Sequence, residues 1–210
     1  MTTAPPAARP VAIASALRTL YFVRFGFAIV WAAVVALTAA TLSPLTAVLL
    51  VVYPVFDVVA AIVDHRASRA TRPASLLFVN MALSALAAIG LAVAAPSGRG
   101  AVLLVWGLWA ITAGAVQLAV AIVRRRLGGQ WPMILSGGIS VLAGLGFALQ
   151  SGGAAASLVG LAGYATLGGV FFLVSALRLQ RTVKRERDAG ADTAATRLGG
   201  TRLDTEADAR

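Results

Sequence analysis

The sequence predicts an all-α polytopic membrane protein, with six transmembrane helices arranged as three helical-hairpin repeats. Three observations predict this class. Hydrophobic residues make up 59% of the 210 positions and charged residues only 12%, about half the charged share of an ordinary globular chain. The apolar residues gather into six runs, each close to the ~20 residues that carry an α-helix across a ~30 Å hydrocarbon core. The connections between runs alternate between short, nearly uncharged turns and arginine clusters.

The runs cover residues 20–41, 44–63, 74–95, 101–123, 131–150 and 155–177. None alternates with the period of two that a membrane β-barrel strand requires, and a helix satisfies its own backbone in lipid. Before the first run lies a segment with Pro5, Pro6 and Pro10 and no apolar stretch, which reads as a cytoplasmic N-terminal segment (1–18) and not as a cleavable signal. The second run opens on Pro44, where a missing N–H costs nothing. Pro54 inside it predicts a kink that frees a backbone carbonyl near Leu50. The third run carries Asn80, and the fourth ends in Arg124, Arg125 and Arg126. The fifth opens on Trp131 and Pro132 and is rich in glycine. The sixth exits into Arg178, Arg181, Lys184, Arg185 and Arg187. The transmembrane domain is thus placed at 19–178. Residues 179–210 read as a basic segment followed by a stretch of Gly, Ala, Thr and Asp whose composition favours disorder.

Cations stay on the cytoplasmic side of membrane helices. Arg9 and Arg18 precede the first run, Arg66, Arg69 and Arg72 follow the second, and the remaining clusters follow the fourth and sixth; only Arg99 falls on the other side. Both termini are therefore expected in the cytoplasm of a multi-pass membrane protein. Lys184 stands alone among arginines, a bias typical of GC-rich bacterial coding sequence. Tyr21, Trp106 and Trp131 lie toward run ends, where interfacial aromatics are common; Trp106 fits the bundle interior equally well.

The formal charge of +10 raises nucleic acid as a partner. The cations form short clusters between apolar runs instead of one stripe, so the partner they predict is the bilayer, with anionic lipid headgroups at the basic loops. The chain has no cysteine, which excludes disulfides, thiol nucleophiles and cysteine-held metals. No cofactor or metal motif is present, and no nucleophile–base pair, so the chain reads as a non-enzyme. His65, the single histidine, reads as a solvated loop residue.

An internal repeat is visible. The even runs end alike, in AAIVDHR (60–66), AVAIVRRR (119–126) and LVSALRLQR (173–181). The odd runs carry small residues at every fourth position: Ala28, Ala32, Ala36 and Ala40; Ser84, Ala88 and Ala92; Ser136, Ser140, Gly144 and Ala148. Small faces let transmembrane helices approach closely, so the odd helices are expected inside and the even ones around them. The same faces permit homo-oligomers.

The stretch GLWAITAGAVQLAVAIVRRRLGGQWPMILSGGISVLAGLGFAL (107–149) resembles the HdeD-like family of short-repeat bacterial membrane proteins. The features that match are a helix ending in a basic cluster, a glycine-containing turn, Trp131, and the spaced glycines Gly137 and Gly144. Gly26 and Ala33 hold the corresponding places in the first hairpin, and Asn80 and Ala87 depart from the pattern in the third run. The resemblance covers roughly residues 18–181. It implies a six-helix inner-membrane protein linked to acid resistance, and it brings no catalytic residues.

Charges within membrane helices are costly and mark candidate sites. Two occur, Arg24 and Asp57, with the amides Asn80 and Gln117 at a similar depth. At ~1.5 Å per residue these four form one polar layer in the cytoplasmic leaflet, on four different helices. An Arg24–Asp57 ion pair is sterically easy. The layer reads either as a clamp that sets helix register, or as a polar cavity for a proton, ion or small solute. The function expected is therefore a non-enzymatic membrane protein of acid or envelope stress tolerance, with a small transporter or channel as the alternative.

Overall fold

A computed structural model describes residues 8–68, 74–123, 131–153 and 156–208. Arg69, Arg72 and Arg124 to Arg126, cations on which the topology reading leans, lie outside the described residues. The described chain is helical, with no strand. Its helices are α1 (Ala8–Thr38), α2 (Pro44–Ser68), α3 (Ala74–Ala94), α4 (Arg99–Val123), α5 (Trp131–Gln150) and α6 (Val159–Asp208), with a short 3₁₀ turn (Ala95–Ser97) before α4.

Five helices contain stretches long and apolar enough to cross a membrane: 15–38, 44–67, 77–97, 99–119 and 159–185. The apolar stretch of α5, Ile134–Gln150, is shorter. Two helices run further than their apolar cores. α1 begins at Ala8, well before residue 20. α6 continues to Asp208, through the stretch where composition points to disorder. Alanine and arginine, both good helix formers, recur there.

The turns show how local chemistry ends each helix. Ser43 caps α2, its hydroxyl accepting from the Thr46 N–H at 3.2 Å, and Pro44 takes the first helical position. The fully buried Thr46 hydroxyl bonds back to the Thr38 and Thr41 carbonyls at 3.2 and 3.1 Å, tying α1 to α2. Between α3 and α4, Gly98 adopts φ +99°, a conformation open to glycine and costly for other residues.

The most extensive helix pairings are α4 with α5, α1 with α6, and α2 with α3; α3–α4 and α1–α2 are lighter, and α5–α6 lighter still. The helices joined by short turns are thus not the tightest pairs. The expected partition into inner odd and outer even helices is reversed where it is clearest. The α4 stretch is 39% buried and the α1 stretch 22%. The ladder of α1 fails for a geometric reason, whereas Ser140, Gly144 and Ala148 of the α5 ladder do face α4. Four residues advance a helix by about 40° more than a full turn, so a strict fourfold ladder winds off the contact face. Ala28 and Ala32 are buried while Ala36 and Ala40 are exposed, and the buried stripe continues through Val35 and Ala39 instead.

The α4–α5 seam follows a seven-residue repeat. Gly107 backs onto Gly144 and Gly114 onto Gly137, and Gly100 meets the Ser151 carbonyl one heptad further along. A Cβ on Gly107 would lie 2.6 Å from the Gly144 oxygen, and one on Gly114 would lie 2.9 Å from the Gly137 oxygen. The two backbones touch at these glycines, with the small side chains of Ser140 and Ala148 beside the contacts. A heptad spacing keeps such contacts aligned along two gently supercoiled helices.

Candidate functional site

Asp57 is the centre of the polar layer. It sits on α2 one turn beyond Tyr53 and Pro54, with its side chain 15% exposed, and pairs through Oδ1 with the Arg24 guanidinium of α1, itself 14% exposed. Its second oxygen accepts from the Asn80 amide at 2.9 Å and the Ser84 hydroxyl at 2.7 Å, both on α3. The Ser84 oxygen in turn accepts from the Trp109 indole of α4 at 3.3 Å. Arg24 also lies over the Phe172 ring of α6, 4.3 Å from its centroid. One carboxylate thus joins α1, α2, α3 and, through Ser84, α4, while its cation reaches α6.

Three of the four predicted residues, Arg24, Asp57 and Asn80, meet directly. Gln117 is half-buried on α4, two turns beyond Trp109, and it is Trp109 that carries α4 into the network. Ser84 and Trp109 were not assigned to the site by sequence reasoning. Ser84 had a readable signal: it lies four residues after Asn80, so both occupy one face of α3. Trp109 had none, because its indole reaches Asp57 only through Ser84.

A second polar contact completes the set of helices. Ser140 of α5 pairs with the Tyr164 hydroxyl of α6 at 2.6 Å and donates to the Ala110 carbonyl of α4 at 3.1 Å. Between the two clusters lies a packed aromatic core. Trp31 and Trp106 stack at 5.5 Å, Tyr53 meets the edge of Trp31 at 4.6 Å, and Trp109 meets Trp106 edge-on at 5.3 Å. The Trp31 indole donates to the Leu49 carbonyl at 2.7 Å. That carbonyl lies one residue before the Leu50 carbonyl, which Pro54 deprives of its helical partner. Burying aromatic rings with their N–H groups paired gives both area and direction.

His65 lies in the last turn of α2, not in a loop, with its ring 5.1 Å from that of Phe78 on α3. An open apolar groove of about 290 Å³ runs between α2 and α3, lined by Ala47, Val48, Val51, Val52, Ala92 and Ala95; it shares no lining residue with the Asp57 cluster.

Chemically, the Asp57 arrangement is a satisfied one. The carboxylate has a cation on one oxygen and two neutral donors on the other. Such groups hold helices in register, and a buried pair of this kind is strongly sensitive to loss of one member. No family model, curated protein or solved structure matches the chain. The helices and the site define an all-helical protein among its described residues, with five helices long and apolar enough to cross a membrane and a polar clamp that joins α1, α2, α3 and α4.

Proposed function

We propose that the protein is a non-enzymatic, six-crossing protein of the bacterial inner membrane whose bundle is fastened by the Asp57 clamp. The observation that carries this reading is the convergence of Arg24, Asn80 and Ser84 on one carboxylate. Three donors on two neighbouring helices favour a fixed register over a site that must release an ion. The transporter or channel alternative needs an accessible Asp57, and these three partners weigh against it. In this reading α5 is the sixth crossing, its short apolar stretch held against α4 by the glycine seam.

The physiological role proposed, tolerance of acid or envelope stress, rests on the resemblance to the HdeD-like family. A deletion strain is expected to survive an acid challenge less well than wild type, to regain survival with the intact gene, and to regain it only in part with Asp57→Asn. Unchanged survival of the deletion strain removes the acid role. Full rescue by Asp57→Asn at normal protein level removes the clamp from that role.

Topology has a direct test because the chain has no cysteine of its own. With cytoplasmic termini, a membrane-impermeant thiol reagent should label Ser97→Cys and Gly152→Cys in intact cells. Ser68→Cys should be labelled only after permeabilisation. Labelling of Gly152→Cys from the cytoplasmic side alone would mean that α5 does not cross.

A further inference from the structure

We propose that one face of α6 binds the anionic headgroups of bilayer phospholipids where the helix leaves the membrane, and that this binding stabilises the fold. The proposal rests on the reading of α6 as a membrane crossing, and not on the Asp57 clamp. The first observation is that the cations stand on a helix. α6 runs as one helix from Val159 to Asp208, so the basic cluster that follows its apolar stretch has a fixed face. About 20 residues span the hydrocarbon core, which carries α6 from Val159 to the neighbourhood of Arg178.

The second observation is which face the cations occupy. The packed face of α6 runs through Ala165, Ala176 and Val183, all buried. A Cβ on Gly169, on this same face, would meet Ala28 and Phe25 of α1 at 3.2 and 3.6 Å. At 3.6 residues per turn, Arg178, Arg181, Lys184 and Arg185 lie between about 100° and 220° round the axis from Val183. All four are exposed. Leu167, Val170, Val174 and Leu177 fall in the same sector, each between 37% and 49% exposed. A single stripe on the side away from the packing is thus apolar along the crossing and cationic just beyond it.

The third argument is chemical. The exposed apolar stripe needs acyl chains over it, and the phosphates of those same lipids lie where the stripe turns cationic. Helical side chains lean toward the N-terminus of their helix, which for α6 is back toward the bilayer. Long arginine and lysine stems then reach the headgroups from a turn or two below. The guanidinium fork also matches two phosphate oxygens. Within residues 178–188 five cations outnumber two acids, Glu186 and Asp188, so the segment keeps a positive sign. An acidic protein or a nucleic acid would find these cations on the lipid-facing side of the helix, and that continuity favours the lipid.

The test uses purified full-length protein in mixed micelles, with thermal unfolding followed by tryptophan fluorescence. Phosphatidylglycerol is titrated in. Phosphatidylcholine with the same chains is the zwitterionic comparison, and glycerol 3-phosphate is the headgroup without chains. Phosphatidylglycerol is expected to raise the unfolding temperature more than phosphatidylcholine does, and salt at about 1 M should remove the difference. Arg181→Gln, Lys184→Gln and Arg185→Gln combined should weaken the midpoint of the phosphatidylglycerol effect about fivefold for each cation lost. Arg181→Lys with Arg185→Lys should keep most of it. Equal protection by the two phospholipids overturns the proposal, a comparison that needs only the wild-type chain. An undiminished response in the glutamine variant overturns it as well, by assigning the effect to other cations. Equal protection by glycerol 3-phosphate makes the ligand a soluble phosphate and also overturns it. Labelling of Gly152→Cys and Arg187→Cys from opposite sides of the membrane reports the α6 crossing separately.

Discussion

Asp57→Ala is expected to destabilise the bundle by about 3–5 kcal/mol, the range for removing one partner of a buried ion pair. The loss exceeds the sum of the hydrogen bonds. Interhelical hydrogen bonds in membranes contribute about 0.6 kcal/mol each on average. The larger cost is what remains: the Arg24 guanidinium without its counter-charge, and the Asn80 and Ser84 donors without their shared acceptor. Denaturant titration of purified protein in detergent measures the change. The double variant Arg24→Leu with Asp57→Leu should recover much of the loss, since well-packed apolar residues often replace a buried pair without penalty. Asp57→Asn should fall between, because its carbonyl still accepts from Asn80 or Ser84. A change below about 0.5 kcal/mol in Asp57→Ala, in the range of ordinary surface substitutions, would mean that Arg24 reaches the headgroups unaided and that there is no clamp.

Gly144→Leu is expected to separate α4 from α5 and to leave little folded protein. A Cβ there would lie 2.6 Å from the Gly107 carbonyl oxygen and 2.8 Å from the Ile111 nitrogen. Both are backbone atoms of α4, so relief requires the whole helix to move. Overpacking alone costs about 1–3 kcal/mol where side chains can adjust, and here movement of the Ile111 side chain, whose Cγ1 would also lie 2.8 Å away, leaves the two backbone clashes in place. Gly144→Ala should show the same effect in reduced form. Gly138→Ala and Gly146→Ala, on the same helix with open space around them, should change stability by no more than about 1 kcal/mol, the scale of helix propensity. Protein yield and size-exclusion profiles of the four variants give the comparison. Equal behaviour of Gly144→Ala and Gly146→Ala would count against direct backbone contact at the seam.

Much of this organisation is legible in the sequence because lipid leaves few alternatives. A run of about 20 apolar residues has to be helical, and costly charges stand out against it. Arg24, Asp57 and Asn80 were readable for that reason, and their similar depth follows from helix rise alone. Packing was less legible. Alanine is so frequent that a fourfold ladder says little about which face is buried, and the contact faces turned out to follow threes, fours and sevens. The glycine seam was present in the sequence as Gly100, Gly107 and Gly114 against Gly137, Gly144 and Ser151. Only the antiparallel register of α4 and α5 makes those two sets of sevens face each other.

The sequence by itself determined the class of protein: helices, their approximate limits, the turns that separate them, and the polar residues that break the apolar pattern. These are properties of single segments, decided by local sterics and by the cost of placing a polar group in lipid. The tertiary structure decided which helices are tight neighbours, that Ser84 and Trp109 join Asp57, and that one of three buried indoles has no acceptor among the described residues. Those facts depend on the rotation of each helix about its axis. That rotation is settled by the close approach of small residues on one helix to the backbone of another, an interaction no single segment contains.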